Sequence, residues 1–181
     1  MSEVENLDEA AVDKKIDLMI KVITRTDTYL NSANTKSTIL LSLAAALIVG
    51  LAVNYEKITN LVSVSGDKTV LSFFIGLVIF LLIISVFFSL RSVTPFIGKS
   101  SINNTFSFVD ISEGYSDLDG YNIDFNSARP KAFLDELLAL NYGLSKALVA
   151  KYRSQAIAIE CIQLSGVVVL FCMLIVFISN Y

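Results

Sequence analysis

Three long apolar runs separated by polar segments form the dominant pattern of this 181-residue chain. The second run, residues 69–90, carries no charge and, as an α-helix, would rise roughly 33 Å. The hydrocarbon core of a bilayer is about 30 Å thick, and a chain in lipid must satisfy its own backbone hydrogen bonds. The run therefore predicts a membrane-spanning helix. The alternative is a helix buried in a large soluble core, but the chain has too little other material to enclose one.

Two further apolar runs, residues 38–53 and 157–179, predict the first and third spanning helices, which are placed at residues 36–54 and 157–179. In the first of them Ser42, Ala46 and Gly50 lie four residues apart on one helix face. Such small-residue stripes let helix backbones approach closely in lipid. The stripe predicts a packing face, either against a neighbouring span of the same chain or against another subunit.

The polar segments before the first run and before the third run predict two amphipathic helices. Apolar residues recur at helical spacing in residues 8–35, although a helix lying flat on the membrane is an alternative there. Residues 130–156 begin with Pro130, a good first-turn residue, with Ser127 as a candidate cap. No strong breaker follows, so this helix is expected to continue to Ser179. The apolar positions are Ile16, Met19, Ile20, Ile23 and Leu30 in the first segment, and Phe133, Leu137, Leu140, Leu144 and Ala147 in the second.

Residues 91–129 change character and predict a small insert. Residues 102–111 carry two aromatic residues two apart among β-branched neighbours, which is typical of a strand or an extended segment. Residues 113–124 are acidic and rich in turn formers, but their spacing does not fit a calcium-binding loop, and no metal site is predicted.

The distribution of cations predicts the orientation in the membrane. Twelve of the 14 Lys and Arg residues lie before the first run or between the second and third, and two, Lys57 and Lys68, lie on the other side. The positive-inside rule then places the N-terminus and residues 91–156 in the cytoplasm and the C-terminus outside. The acidic N-terminus has no basic segment followed by an apolar run, so it does not predict a secretory signal. The expected fold is an all-α, multi-pass membrane protein with three transmembrane helices, a cytoplasmic helical body and a small irregular or short-strand insert.

Composition argues against several function classes. A net charge of −3 without a basic stripe gives no nucleic-acid footprint. Histidine is absent, which removes the commonest general base, and no nucleophile constellation replaces it, so no catalytic residue is predicted. Cys161 and Cys172 lie 11 residues apart in the last apolar run, too far to form a disulfide with each other, and are interpreted as small apolar filler.

Three segments together resemble the transmembrane effectors of Pycsar anti-phage systems. Asn34-Thr-Lys-Ser-Thr-Ile-Leu-Leu41, at the start of the first span, is similar to that family's Ala-Asp-Thr-Lys-Ala-Ser signature, with Asn34 in place of the acid. Phe106-Ser-Phe-Val-Asp-Ile111 resembles the family's aromatic segment, and residues 137–153 resemble the stretch that leads into its last span. The order and spacing of these segments carry the resemblance, which extends from about residue 13 to the end.

The resemblance implies an inner-membrane protein of bacterial antiviral defence. In such a system a partner pyrimidine nucleotide cyclase makes cCMP or cUMP after infection, and the effector impairs membrane integrity and causes abortive infection. Because one copy with three spans cannot enclose a wide pore, a homo-oligomer in membrane lipid is expected for this function. A non-conducting membrane adaptor or sensor that recruits a partner through its cytoplasmic helices is the alternative. The activating nucleotide needs cations and an aromatic face, and the insert offers both, although the same residues would also serve as membrane anchors and core aromatics. The candidate ligand-binding residues are Arg91, Lys99, Phe106, Phe108, Arg129 and Lys131.

Overall fold

Helices account for nearly all of the structure. The computed structural model describes residues 2–95, 98–100 and 102–181, with side chains from Ala10 onward. The side chains of residues 8 and 9, and residues 96, 97 and 101 of the predicted insert, lie outside this description. The helices are α1 (Ser2–Thr59), α2 (Ser65–Val93), α3 (Phe108–Gly114), α4 (Leu118–Ser127) and α5 (Pro130–Ser179), and no strand occurs among the described residues. Three of them, α1, α2 and α5, are long and apolar enough to cross a membrane, so the chain is an all-α membrane protein.

The two longest helices each join an amphipathic segment to an apolar run. In α1 the segments predicted as 8–35 and 36–54 form one helix without a break. Helix α5 begins at Pro130 and ends at Ser179, as predicted. The predicted cap at Ser127 is wrong, because this residue ends α4 and its hydroxyl donates to the Asp124 carbonyl at 3.2 Å.

Residues 102–111, predicted as a strand or an extended segment, form no strand: residues 102–107 are irregular, and Phe108 begins α3. Ser107 has extended backbone angles, and its hydroxyl accepts the backbone N–H of Asp110 at 3.4 Å. This is N-cap geometry, which satisfies one of the otherwise unpaired N–H groups of the first turn. Asp117 caps α4 in the same way, accepting from the backbone N–H of Gly120 at 2.8 Å. The N-cap hydrogen bonds thus favour helices here, although the side-chain pattern of residues 102–111 is typical of a strand.

The chain divides into two compact units. The helical body comprises the residues up to Ser32 together with Pro95–Val149, and the spanning unit comprises Ala33–Thr94 and Ala150–Tyr181. In the body, the inward positions of α1 follow a 4-3 spacing, and all five predicted apolar positions of α5 are buried or half-buried. Ile20, predicted on the inward stripe, is instead 49% exposed, and Thr26 is buried and donates to the Asn141 side-chain oxygen at 3.3 Å. The inward positions of α1 in the body are Val12, Ile16, Met19, Ile23, Thr26 and Leu30.

The spanning unit packs α1, α2 and α5 around apolar clusters. Ala44 of α1 is fully buried in one of these clusters, beside Val78 and Leu82 of α2 and Val168 of α5. Ser42, Ala46 and Gly50 are all exposed. No atom lies within 4 Å of a Cβ placed on Gly50. The stripe therefore does not pack against another helix of the described chain, and contact with another subunit remains a prediction.

One end of the spanning unit has a polar interior centred on Lys151, which is 8% exposed. The Lys151 ammonium donates to the Asn34 side-chain oxygen at 3.0 Å, to the Thr94 carbonyl at 3.0 Å and to the Ser92 carbonyl. One turn further along α5, Gln155 donates to the Ser37 hydroxyl at 2.8 Å. These contacts join α1, the C-terminal end of α2 and α5. We call them the Lys151 network.

Candidate ligand-binding site

The helical body contains a cavity of about 240 Å³. Helix α1 and helix α5 form two of its walls, and the connection between α2 and α3, together with the start of α3, forms the rest. Its lining is mostly apolar, with Asp27 and Lys99 as its charged residues. The lining residues are Ile23, Asp27, Gly98, Lys99, Ser100, Phe106, Ser107, Phe108, Val109, Leu140, Gly143 and Leu144.

Glu136 of α5 holds the connection that forms one wall of the cavity. Its carboxylate accepts from the backbone N–H of Thr105 at 2.8 Å and from the Thr105 hydroxyl at 2.6 Å. The Asn104 side-chain amide donates to the Glu136 carbonyl at 2.7 Å, and Asn104 and Thr105 are both buried. Hydrogen bonds to a charged group are roughly twice as strong as neutral ones, so this loop has a defined conformation before any ligand binds.

Two acidic residues hold the segment that carries Lys99. The buried Asp110 carboxylate accepts the backbone N–H of Ser100 at 3.2 Å. Lys99 forms an ion pair with Glu113 at 2.9 Å, and both side chains are more than half exposed. The hydrogen bond and the charge of Glu113 raise the pKa of Lys99 above 10.5, so this residue carries its positive charge at neutral pH.

The two aromatic residues of the cavity, Phe106 and Phe108, differ in their ring contacts and in their exposure. The Phe106 ring packs edge-on against Phe125 and Phe133, with centroids 6.1 and 5.6 Å away, and is 38% exposed. Phe108 is 72% exposed. Phe106 therefore belongs to the aromatic core of the body, whereas Phe108 has a ring face open to a planar ligand.

The structure brings three of the six predicted ligand residues together at this cavity: Lys99, Phe106 and Phe108. Arg129 and Lys131 are exposed where α5 begins, in the same unit, and do not line the cavity. Arg91 lies in the last turn of α2, in the spanning unit.

Sequence reasoning missed the polar groups that α1 and the serines contribute to the cavity. Asp27 was recognisable as an acid interrupting the apolar stripe of α1, although its place at a cavity was not. Ser100 and Ser107 gave no signal, because serine is common in connections and at helix caps. Gly143 is a further addition, and no atom lies within 4 Å of a Cβ placed on it. A larger side chain at this position would extend from the wall of the cavity.

Comparison with known protein families gives a match over most of the chain. Residues 18–179 match the Pycsar effector protein domain, PycTM. The chain belongs to the Pycsar effector family. The matched region of this Pycsar effector includes α1 from residue 18 onward, α2 and α5, and the residues that line the cavity of the helical body. No curated protein and no solved structure matches the chain.

Family membership assigns a coarse role. A Pycsar effector with three such helices is a transmembrane protein of antiviral defence. PycTM is not a known enzyme family. The cavity of this Pycsar effector is a candidate ligand-binding site.

Proposed function

We propose that this Pycsar effector is an inner-membrane protein that a cyclic pyrimidine nucleotide, cCMP or cUMP, switches on. A partner nucleotide cyclase supplies the ligand after infection, and the activated effector, as a homo-oligomer, impairs membrane integrity and causes abortive infection. The orientation that fits this role has the N-terminus and the helical body in the cytoplasm. The observation that carries the proposal is the cavity, which sets a cation and an open aromatic ring on a helical body that the family match includes.

Each part of a cyclic pyrimidine nucleotide has a matching group in the cavity. The phosphate carries one negative charge, and the Lys99 ammonium is the cation that meets it. The pyrimidine stacks on Phe108, and base–aromatic stacking of this kind contributes about 1–3 kcal/mol. The Ser100 hydroxyl is available to the sugar, and the Ser107 hydroxyl, which accepts from Asp110 as the cap of α3, keeps its own O–H as a donor. A volume of about 240 Å³ is at the small end for a ligand site, so part of the nucleotide stays in contact with solvent.

Asp27 gives the site a means of reading the base. A carboxylate accepts hydrogen bonds, and cytosine presents an exocyclic amine at the position where uracil presents a carbonyl oxygen. With the base stacked on Phe108, the Asp27 carboxylate favours the amine of cCMP and disfavours the carbonyl of cUMP. We therefore place cCMP ahead of cUMP as the activating ligand.

Ligand binding in the cavity acts on helices that continue along the chain into the spanning segments. Two walls of the cavity belong to α1 and α5, and each of these helices continues without a break into an apolar run. A ligand shifts a conformational equilibrium only by its differential affinity for the two states. A nucleotide that binds more tightly to one arrangement of these two helices therefore biases the arrangement of the spans that they continue into.

Filling the cavity tests this proposal. We expect Gly143→Leu to abolish or strongly weaken nucleotide binding, because the new side chain takes up part of the ligand's volume and its Cβ meets no neighbour. Calorimetric titration of cCMP and cUMP into the purified protein in nanodiscs measures the affinity. Uptake of a membrane-impermeant dye by cells that also produce the cyclase measures membrane damage, and this readout separates a membrane-damaging effector from a non-conducting adaptor.

Gly114→Leu is the matched control for this experiment. Gly114 ends α3 in the same unit, no atom lies within 4 Å of a Cβ placed on it, and it does not line the cavity. The control should bind nucleotide and damage membranes like wild type. Wild-type protein that binds neither nucleotide would contradict the ligand-gated function, and equal affinities for wild type and Gly143→Leu would remove the cavity from it.

A further inference from the structure

The apolar run of α5 carries two strongly polar residues on its outward face. Glu160 and Gln163 are both exposed. They belong to a line of exposed positions with 4-3 spacing, which runs down one face of the helix opposite its buried seam. The other members of the line are small or apolar. The line consists of Ala156, Glu160, Gln163, Val167, Leu170 and Leu174.

A contact inside the spanning unit places these two residues at membrane depth. The Ser85 hydroxyl donates to the Ala158 carbonyl at 3.0 Å, so residue 158 lies beside Ser85 of α2. Ser85 lies six residues inside Arg91, which ends the charge-free run of α2. At about 1.5 Å per residue, Glu160 is roughly 12 Å and Gln163 roughly 16 Å beyond the level of Arg91. In a hydrocarbon layer about 30 Å thick, Gln163 is therefore close to the midplane.

The described chain offers neither residue a partner. Neither Glu160 nor Gln163 has a hydrogen bond or ion pair with any other described residue. A polar side chain with an N–H donor can be satisfied within its own helix: the Asn54 amide donates to the Gly50 carbonyl at 2.8 Å. A carboxylate cannot follow this route, because it only accepts hydrogen bonds and the N–H groups of a helix interior are already paired.

Facing lipid is unfavourable for such a carboxylate. Intramembrane carboxylates almost always face a bundle interior or a water-filled space. The interior of this unit is filled by the opposite, apolar face of α5 together with α1 and α2. The side chain of glutamate is also too short to reach the headgroups from this depth, unlike the long side chains of lysine and arginine. The outward face of α5 is therefore suited to an aqueous space that several copies enclose.

We propose that Glu160 and Gln163 line a water-filled, cation-selective path that several copies of this chain enclose together. This inference rests on the proposed function and identifies the route by which the activated effector breaks the membrane's permeability barrier. Each copy contributes one carboxylate and, about 4.5 Å deeper, one amide, so an assembly forms two polar rings. A ring of carboxylates attracts cations and repels anions, which is how several cation channels select their ions.

The test measures ion selectivity. Purified protein is reconstituted in planar bilayers with a potassium chloride gradient and activated with cCMP or cUMP, and the reversal potential gives the ratio of potassium to chloride permeability. We expect a cation-selective current for wild type. Glu160→Gln should lower the permeability ratio at least about threefold, because it removes the charge and keeps the shape. Gln163→Glu adds a second ring of carboxylates and should raise the ratio.

Glu56→Gln is the matched control, since Glu56 is exposed near the end of α1 and beyond the apolar run. It should leave the permeability ratio unchanged. Currents with the wild-type reversal potential in both Glu160→Gln and Gln163→Glu would overturn the inference while leaving ligand-gated membrane damage intact. A wild-type protein that carries no current with either nucleotide would overturn the proposed membrane damage and this path with it.

Discussion

The ammonium group of Lys151 lies 3.0 Å from the side-chain oxygen of Asn34, so a buried cation is paired with a neutral amide. Its other two acceptors, the carbonyls of Ser92 and Thr94, belong to the C-terminal end of α2. Three acceptors match the three N–H bonds of an ammonium group. The carbonyl end of a helix also carries partial negative charge, which stabilises a cation there without a carboxylate. Lys151 of α5 thus binds α1 and α2 through the dipoles of an amide side chain and of two backbone carbonyl groups.

The neutral partner of Lys151 makes Asn34→Asp a stabilising change. The substitution places a carboxylate where the amide oxygen already accepts, and hydrogen bonds between charged groups are worth more than those to a neutral group. We expect a gain of about 1 kcal/mol, or a rise of about 2–4 °C in the unfolding midpoint of the detergent-solubilised protein. A midpoint equal to that of wild type, or below it, would show that desolvation of the new charge outweighs the attraction.

Removing the cation should be destabilising. Lys151→Met keeps the length and the apolar stem of the side chain but leaves three oxygens without their donor, at a cost of about 1–3 kcal/mol. Lys146→Met is the control, because Lys146 is exposed on the same helix and its ammonium lies 4.3 Å from the Tyr142 ring centre. Denaturant titration of both variants should show a loss for Lys151→Met several times that of the control. Equal losses would mean that the Lys151 network contributes nothing specific.

The stability of the spanning unit should depend on alkaline pH through Lys151, which precedes the apolar run of α5. Burial lowers the pKa of this residue below 10.5. The folded state then releases the proton at a lower pH than the unfolded state does. The free energy of unfolding should therefore rise as the pH increases from the lowered folded pKa towards 10.5. Unfolding curves measured across this window should show the rise in wild type and not in Lys151→Met, and matching slopes would contradict the assignment.

Nucleotide affinity should depend on Lys99 and not on the exposed cations at the start of α5. A charge-assisted bond to phosphate is worth about 1.5–3 kcal/mol, so Lys99→Ala should weaken binding roughly tenfold or more. Arg129→Ala should change affinity little, because Arg129 does not line the cavity. Glu113→Gln should tighten binding, since it frees Lys99 from its ion pair. Calorimetric titration of the three variants decides between a site in the cavity and a site at the start of α5. A loss of affinity in Arg129→Ala alone would place the nucleotide at the start of α5.

Base preference should depend on Asp27. Asp27→Asn replaces a group that only accepts hydrogen bonds by one that also donates, so the carbonyl oxygen of uracil gains a donor. We expect the preference for cCMP over cUMP to fall by about tenfold, within the roughly 1–3 kcal/mol that a good base contact contributes to discrimination. Parallel titrations with the two nucleotides measure the ratio. An unchanged ratio would remove Asp27 from base recognition.

Assembly should depend on the exposed stripe of α1. Gly50→Leu adds bulk at a position where the described chain has no neighbour, so the fold and insertion should be unaffected. Close approach of a second helix would be blocked, and membrane damage should fall strongly at equal expression. Chemical crosslinking in membranes, together with dye uptake, reports both effects. Normal crosslinking and normal killing by Gly50→Leu would exclude the stripe from the subunit contact.

The sequence by itself determined the class of the protein, the presence of its three long helices and both ends of α5. Apolar runs of about 20 residues have few alternatives to a spanning helix, because lipid satisfies no backbone hydrogen bonds. Pro130 marked the start of α5 because its fixed backbone angle suits a first turn and lacks an N–H that would need a partner. Three of the six predicted ligand residues also proved to line one cavity. Run length and first-turn residues depend on neighbouring positions in the chain, so they can be predicted from the sequence.

Tertiary structure decided what each polar residue does. Lys151 counted in the sequence only as one more cation for orientation, although its position in the 4-3 seam between Ala147 and Ser154 already marked it as inward. Likewise, periodicity alone did not show that Ile20 points outward while Thr26 is buried. The connection between α2 and α3, which carries Lys99, is held by Glu136. The carboxylate of Glu136 accepts two hydrogen bonds from Thr105, about thirty residues earlier in the chain. Contacts between distant segments depend on the relative placement of whole helices, which no local pattern encodes.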